Sequence, residues 1–242
     1  MQTMKISPAV QYHRNVQEIL SRIIESQLPG IEQAGRLVAD TTQRDGLIYT
    51  FGSGHSLLIA IEMHSRAGGL ANFDVIHDKT FGRAERLPGY AAVLLDAYPI
   101  GSNDLLIMAS NSGRNALPIE MALEARKRGI QTIAITSLNH SRSVEPRTSA
   151  GGRLFEICDV VIDNCGVPGD ATLEVGNGES VRVGPTSTVA GAFIANCIVA
   201  VASRELMDRG VHPPVFVSGN LDGVEEQNRG LLEFAKRRLR GL

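Results

Sequence analysis

The sequence predicts an α/β fold in which a parallel β-sheet is covered by helices on both faces. Five short apolar runs recur along the chain, and segments with helical spacing separate most of them. Each return from one parallel strand to the next requires a crossover, which is usually a helix. The strands are expected at Leu47–Phe51, Phe73–Ile76, Leu105–Ala109, Thr132–Thr136 and Val160–Ile162.

Helices are also expected before and after these strands. Apolar residues recur at spacings of three and four between about Ala9 and Gln27, which indicates an amphipathic helix, and a second helix is expected after Pro29. Ser187–Asp208 is apolar on every side, so we expect it to be buried in the core or in a subunit interface. Leu221–Arg240 is expected to form a polar amphipathic helix.

A β-hairpin is expected between the last strand of the sheet and the long apolar helix. The segment DATLEVGNGESVRVGP has two alternating runs on either side of Asn177-Gly178, and this dipeptide is a strong signal for a hairpin turn. We expect the hairpin to lie outside the main sheet.

Length and composition favour one α/β domain. A chain of 242 residues with 43% hydrophobic content can bury a substantial core. We expect N-terminal helices over residues 1–44, the core over residues 45–210 and a C-terminal extension over residues 211–242. The net charge of -2 gives no electrostatic reason to expect a nucleic acid or a membrane as partner. Without the basic start and apolar core of a signal peptide, the protein is expected in the cytoplasm.

The cysteines and glycines do not indicate a metal or a cofactor. Cys158, Cys165 and Cys197 are an odd number without metal-ligand spacing, so neither a disulfide framework nor a zinc site is expected. The glycine loop after strand one lacks the full dinucleotide fingerprint and gives a nicotinamide cofactor only weak support. We therefore expect no cofactor and no metal.

Two polar loops carry the candidate chemistry. Gly52-Ser53-Gly54-His55-Ser56 follows strand one, and Ser110-Asn111-Ser112-Gly113 follows strand three, before a helix expected to begin near Arg114 or Asn115. Backbone N–H groups and the positive end of a helix suit a phosphate or another anion, although Ser and Asn could simply cap the helix. In the flavodoxin-like order 2-1-3-4-5, strands one and three are neighbours, and both loops open into one crevice.

These loops resemble the sugar isomerase (SIS) domain family, and especially its phosphoheptose isomerases. The similarity covers about residues 45–210 and consists of Gly-x-Gly-x-Ser after strand one, Ser-x-Ser-Gly after strand three, and the helix ending from Ala125 to Gly129. The resemblance implies a doubly wound five-stranded sheet in the order 2-1-3-4-5. It also implies that the ligand is a sugar phosphate.

The resemblance further implies which residues contact the ligand. In the family the loop after strand three grips the phosphate, and Asn115 stands where Ser or Thr is common. A polar turn opens a late helix, although here it could be a plain cap before Val189. The expected phosphosugar-binding residues are Ser53, Gly54, His55, Ser56, Ser110, Asn111, Ser112, Gly113, Asn115, Thr186, Ser187 and Thr188.

Proton transfer in an aldose–ketose isomerase requires a base, usually a carboxylate. Glu62 is the first candidate, on one helix face with His55 and Arg66, but an ion pair between Glu62 and Arg66 is equally compatible with the spacing. In phosphoheptose isomerases the resemblance places the catalytic Glu where this chain has Arg66, and a His on the late helix, which here has none. His77, after strand two, is the second candidate.

The charged segment after His77 has two interpretations. Lys79, Arg83 and Arg86 could neutralise a phosphate or form a lid, or they could belong to a solvated loop. The leading hypothesis for the protein is a sugar-phosphate isomerase. The alternatives are an amino-sugar-phosphate lyase or etherase and a non-catalytic phosphosugar sensor, although the N-terminal forty-odd residues are short for a DNA-binding module. We expect a homodimer or homotetramer, with His212 acting in the partner's site.

Overall fold

A parallel five-stranded sheet forms the centre of the protein, as described by a computed structural model covering residues 6–176 and 180–240. The strand order is β2-β1-β3-β4-β5, which confirms the predicted fold and order. The residues of the three inner strands are buried almost without exception, as expected for a sheet covered on both faces. The strands are β1 (Ile48–Gly52), β2 (Phe73–Ile76), β3 (Leu105–Ala109), β4 (Gln131–Thr136) and β5 (Val160–Asp163).

Helices cover both faces of this sheet. One layer contains two long helices and the short crossover after β1, while the crossovers after β2, β3 and β4 pack on the opposite face with the C-terminal helix. The helices are α1 (Pro8–Gln43), α2 (Leu57–Glu62), α3 (Tyr90–Asp96), α4 (Ala116–Lys127), α5 (Leu138–Arg142), α6 (Leu154–Ile157), α7 (Ser187–Asp208) and α8 (Glu225–Arg238).

The prediction of two separate N-terminal helices was wrong, because α1 continues through Pro29. Proline inside a helix removes a hydrogen bond and costs about 3 kcal/mol. Pro29 itself is exposed, but Ile31, Ala34 and Val38 in the following turns are buried against the core. Burial of this apolar face offsets the local penalty, since most helical stability in proteins comes from such packing.

Helices α1 and α7 pack closely together over one face of the sheet. A Cβ on Gly35 of α1 would lie 2.6 Å from Cβ of Val201 on α7, and one on Gly191 of α7 would lie 2.7 Å from Cγ1 of Ile59 on α2. α7 is long and apolar enough to cross a membrane by length and composition. Packing accounts for part of that composition, because the buried residues of α7 are Ala190, Gly191, Ile194, Ala195, Ile198, Val199, Ala202 and Leu206.

A small antiparallel hairpin lies outside the main sheet, between β5 and α7. It consists of β6 (Ala171–Glu174) and β7 (Arg182–Pro185), which confirms two strands in this segment. The expected turn at Asn177-Gly178 lies outside the described residues. The C-terminal helix is shorter than expected and begins at Glu225. The division of the chain at residues 44 and 210 stays a prediction.

Two glycines of α1 should respond in opposite directions to alanine. Gly35→Ala should lower the free energy of unfolding by about 1–3 kcal/mol, because the added methyl group collides with α7. Gly30→Ala should raise it by up to about 1 kcal/mol, because its Cβ would meet nothing closer than 3.5 Å and alanine favours the helix. Urea unfolding measures both changes. A loss at Gly30 equal to that at Gly35 would contradict the packing argument.

Candidate functional site

The pairing of β1 with β3 brings the two polar loops to the same edge of the sheet. Gly52 pairs with Ala109, so Ser53 and Ser110 are the next residues on adjacent strands. We call residues 53–56 the β1 loop and residues 110–113 the β3 loop. Because α2 and α4 leave on opposite faces, the loops lie at a switch point of the sheet, and the region between them, here called the crevice, is where a ligand is expected in such folds.

The β1 loop is a tight turn. Gly54 adopts a left-handed conformation (φ +58), and a Cβ on Gly52 would lie 2.7 Å from the amide nitrogen of Leu57. A 3-10 turn at Gly54–Ser56 leads into α2, which has only six residues. The expectation of one helix carrying His55, Glu62 and Arg66 on a common face was therefore wrong. α2 ends before the left-handed backbone of Ser65 (φ 43), which a continuing helix cannot contain.

The β3 loop is held from below by the ends of β4 and β5. Thr136 Oγ1 donates to the carbonyl oxygen of Ser110 (2.7 Å), and Asn164 Nδ2 donates to Oδ1 of Asn111 (2.9 Å). Within residues 6–176 and 180–240, the half-buried hydroxyls of Ser110 and Ser112 have no hydrogen-bond partner. The backbone of the loop is thus fixed, while its two serine hydroxyls are left unengaged by the described residues.

The start of α4 offers fewer free amides than expected. The N–H of Leu117 donates to the carbonyl oxygen of Glu85 (2.9 Å), and Pro118 has no N–H. Asn115 is the N-cap residue, but its side chain makes no capping hydrogen bond, and its Oδ1 instead accepts from Nη1 of Arg147 (3.3 Å). An anion in the crevice would therefore depend on the side chains and backbone of the β3 loop more than on the end of α4.

Residues 78–87, here called the covering segment, lie over the β1 loop. A Cβ on Gly82 would be 3.1 Å from the amide nitrogen of Gly54, and Ser53 Oγ donates to Oε2 of Glu85 (3.3 Å). Asp78 holds the segment by accepting from the backbone N–H and hydroxyl of Thr80 (2.9 and 2.6 Å) and from the N–H of Gly82 (2.9 Å). Burial alone would raise the pKa of Asp78, but these hydrogen bonds outweigh it and lower the pKa.

Three arginines gather beside the β3 loop. The N–H of Arg147 donates to the carbonyl oxygen of Arg114 (2.6 Å), and Arg114 Nε donates to the carbonyl oxygen of Glu145 (2.7 Å). The charges of Arg114 and Arg86 lower the pKa of Arg147. In the described part of the chain none of these three guanidinium groups forms a salt bridge, so positive charge collects beside the β3 loop.

The polar turn before α7 is already engaged with a carboxylate. Asp170 Oδ1 accepts from the N–H groups of Thr186 (3.0 Å) and Ser187 (2.8 Å), and its Oδ2 accepts from the hydroxyl of Ser187 (2.6 Å). Thr186 Oγ1 is buried without a partner among the described residues, and Thr188 is half-buried. The expected ligand contact of these three hydroxyls stays a prediction, with Asp170 occupying the anion position at the helix start.

The two candidate proton-transfer residues lie in different surroundings. Glu62 forms the ion pair with Arg66 that the sequence left open, and its Oε1 also accepts from Asn196 Nδ2 (2.9 Å). The backbone N–H of His77 donates to the hydroxyl of Tyr98 (2.9 Å). His77 also lines a cavity of about 780 Å³ beside β2, together with Leu57, Asp78, Lys79, Phe81, Tyr90, Val93, Leu94, Ala97, Tyr98 and Arg240. Both catalytic roles stay predictions.

The other candidate histidines and the cysteines differ in exposure. His55 and His212 are exposed, and their roles in a site stay predictions. Burial raises the pKa of the Cys158 thiol to about 12, and it also raises the pKa of Cys165 and Cys197, so these thiols are protonated at neutral pH. Among residues 6–176 and 180–240, no three His, Cys, Asp or Glu side chains are grouped as metal ligands would be.

Comparison with known proteins identifies the family. A profile described as the SIS domain matches residues 11–137, a little over half of the chain, and includes both polar loops. The chain belongs to the SIS-domain family. It is 39% identical to a UPF0309 protein of Geobacillus thermodenitrificans over 238 residues, 95% of each chain. It is 38% identical to a UPF0309 protein of Streptomyces coelicolor over 237 residues, 93% of this chain and 94% of the relative.

Solved SIS-type structures share the fold of this SIS-domain protein at low identity. A phosphoheptose isomerase from Francisella tularensis has a TM-score of 0.58 and 15% identity, covering 81% of this chain and 96% of its own. A phosphoheptose isomerase from Neisseria gonorrhoeae has a TM-score of 0.55 and 16% identity, with coverages of 81% and 97%. The sugar isomerase domain of an RpiR transcription factor from Sphaerobacter thermophilus has a TM-score of 0.52 and 18% identity, with coverages of 95% and 98%.

Sequence reasoning missed several residues of the crevice. Glu85 lay within a charged segment in which only the basic residues were considered, and Arg114 directly follows the β3 loop motif. Arg147 and Asp170 carried no local signal, because each reaches the site through contacts with residues 16 or more positions away. A search for carboxylates near the ends of neighbouring strands would have found Glu85.

The carboxylate of Asp78 should stabilise the covering segment above acidic pH. Because its pKa is lowered in the folded protein, its contribution is complete above the ordinary Asp pKa of about 3.9 and is lost as the pH falls through the folded-state pKa. Asp78→Asn should reduce the free energy of unfolding by about 1–3 kcal/mol at pH 7, and by less below about pH 4. Urea unfolding at pH 7 and below about pH 4 tests this, with Asp222→Asn at an exposed position as the control. Equal stability at pH 7 would refute it.

Proposed function

We propose that the protein binds a sugar phosphate in the crevice between the β1 and β3 loops and isomerises it between aldose and ketose forms. The observation that carries the proposal is the meeting of these two SIS-family loops at the switch point of the sheet. Ser110 and Ser112 offer hydroxyls that no described residue occupies. A phosphate with its charged oxygens suits such donors.

The arginines beside the β3 loop support an anionic ligand. Arg147 is repelled by Arg114 and Arg86, and bringing a phosphate close to these charges relieves that repulsion. Arg114 and Arg147 lie next to the loop that would hold the phosphate, since Arg147 contacts both Arg114 and Asn115. The sugar would then extend from the β3 loop toward the β1 loop and the covering segment.

Two other functions use the same site. A lyase or etherase acting on an amino-sugar phosphate would also begin by removing a proton next to a carbonyl. A non-catalytic sensor would bind the phosphosugar without reaction. The structural similarity to the sugar isomerase domain of the RpiR transcription factor, which covers 95% of this chain, supports this candidate. The two phosphoheptose isomerases that share the fold favour a sugar phosphate as the ligand for all three candidate functions.

Solvent exchange separates catalysis from binding. The purified protein is incubated in deuterated water with arabinose 5-phosphate, glucose 6-phosphate and sedoheptulose 7-phosphate. Deuterium at the carbon next to the carbonyl, together with the isomer, supports an isomerase. Loss of a substituent indicates the lyase, and thermal stabilisation without exchange indicates the sensor. The proposal would be contradicted if no sugar phosphate produced either thermal stabilisation or exchange.

Removal of the two serine hydroxyls of the β3 loop should weaken phosphate binding. The double variant Ser110→Ala, Ser112→Ala should bind the sugar phosphate at least about tenfold more weakly, which corresponds to ~1.4 kcal/mol. The hydroxyls are half-buried and have no described partner, so folding should be preserved. Isothermal titration calorimetry gives the affinity, and Ser21→Ala, exposed on α1, is the control. Unchanged affinity in a folded double variant would remove the site from the β3 loop.

We further propose that the protein is a homodimer or homotetramer whose subunits complete each other's sites. Exposed apolar side chains on α1 and α7 would be covered by a second copy, and exposed His212 could reach the partner's crevice. Mass measurement at low protein concentration should show at least a dimer. An active monomer under those conditions would exclude shared sites. The exposed apolar residues of these helices are Val10, Ile24, Leu28, Val189 and Met207.

A further inference from the structure

We propose that Glu85 is the carboxylate that moves the proton in this crevice, an inference that rests on the proposed isomerase function. Glu85 contacts the β1 loop and the start of α4, the helix that follows the β3 loop. Its Oε2 accepts from Ser53 Oγ of the β1 loop (3.3 Å), and its carbonyl oxygen accepts from the N–H of Leu117 at the start of α4 (2.9 Å). Glu85 therefore lies at the switch point, between the β1 loop and the start of α4.

The backbone around Glu85 is fixed. Its N–H donates to the carbonyl oxygen of Gly82 (3.2 Å), and Asp78 holds Gly82 and Thr80 at the beginning of the covering segment. Gly82 in turn lies directly against Gly54. A general base must be held within hydrogen-bond reach of the proton it removes, and these contacts supply that restraint.

The Glu85 side chain is also chemically available. It is half-buried, it accepts one hydrogen bond from a hydroxyl, and within the described residues it forms no salt bridge. A carboxylate has about four acceptor positions, so most of its capacity remains for a ligand. The charge of Glu85 interacts with that of Arg147, which connects it to the arginines beside the β3 loop.

The other carboxylates near the sheet edge are engaged. Glu62 would have to break its ion pair with Arg66 and its hydrogen bond from Asn196 on α7. Asp78 accepts hydrogen bonds from Thr80, Gly82 and Tyr90, and Asp170 accepts three from the turn before α7. Of the four residues Glu62, Asp78, Glu85 and Asp170, only Glu85 contacts both the β1 loop and the start of α4. Its side chain makes the first contact and its backbone makes the second.

The step balances without an oxidant or a metal. The Glu85 carboxylate takes the proton from the carbon next to the carbonyl of the open-chain sugar. The electron pair of that C–H bond forms the C=C bond of an enediolate, and the carbonyl oxygen takes the negative charge. The proton then returns from Glu85 to the former carbonyl carbon, while a proton exchanges between the two oxygens. The carbonyl carbon is reduced and its neighbour is oxidised.

The test compares Glu85→Gln with the full-length wild type. Glutamine keeps the volume and can still accept from Ser53 Oγ, but it cannot take a proton, so a purely structural role would be preserved. Exchange of the carbon-bound proton of the best sugar phosphate above should fall about 10²–10⁴-fold. Thermal stabilisation by inorganic phosphate should stay unchanged. Glu85→Asp should retain at least tenfold more exchange than Glu85→Gln, because aspartate keeps a carboxylate that can take the proton and only shifts it by one methylene.

The outcomes separate failure of this inference from failure of the proposed function. Glu18→Gln, exposed on α1, is the matched control and should exchange like the wild type. Exchange within threefold of wild type in Glu85→Gln, or equal losses in Glu85→Gln and Glu85→Asp, would overturn the assignment to Glu85. Loss in Glu62→Gln with retention in Glu85→Gln would assign the base to Glu62. Phosphate binding without exchange in the wild type would overturn both the isomerase and its base.

Discussion

The parallel pairing of β1 with β3 is the constraint on which the rest of the molecule depends. These central strands are buried along their whole length, and their register aligns Gly52 with Ala109. Because the two strands are neighbours in space but separated by β2 in sequence, their crossovers must leave on opposite faces. The polar loops, the start of α4 and the covering segment all take their positions from this arrangement.

Much of this architecture could be predicted from the sequence. Continuous apolar runs located all five strands of the main sheet to within one residue at each end, and α7 has the bounds expected from its composition. These elements were predictable because each one satisfies a local pattern that its burial requires. The loops after β1 and β3 were predictable for the same reason, since a run of small polar residues interrupts two strongly apolar segments.

The failures arose where distant packing overrides a local signal. Pro29 marks a helix end by every local rule, but the helix continues because its next turns are buried. α2 was expected to be long, although the left-handed Ser65 stops it. The contacts of Glu85 with the β1 loop and of Arg147 with Asn115 join residues about 32 positions apart, and no periodicity encodes such pairs.

Because Asp170 caps the start of α7, this helix end contributes little to the attraction of an anion. Helix dipoles act over the first turn and are fixed by the backbone, whereas the charges of exposed arginines are screened by salt. Since Asp170 already neutralises the start of α7, the attraction available to an incoming anion comes mainly from Arg86, Arg114 and Arg147. The Debye length is about 8 Å at physiological ionic strength, so for the phosphate binding proposed above, salt should lower the rate of anion capture more than it weakens the hydrogen bonds from the β3 loop.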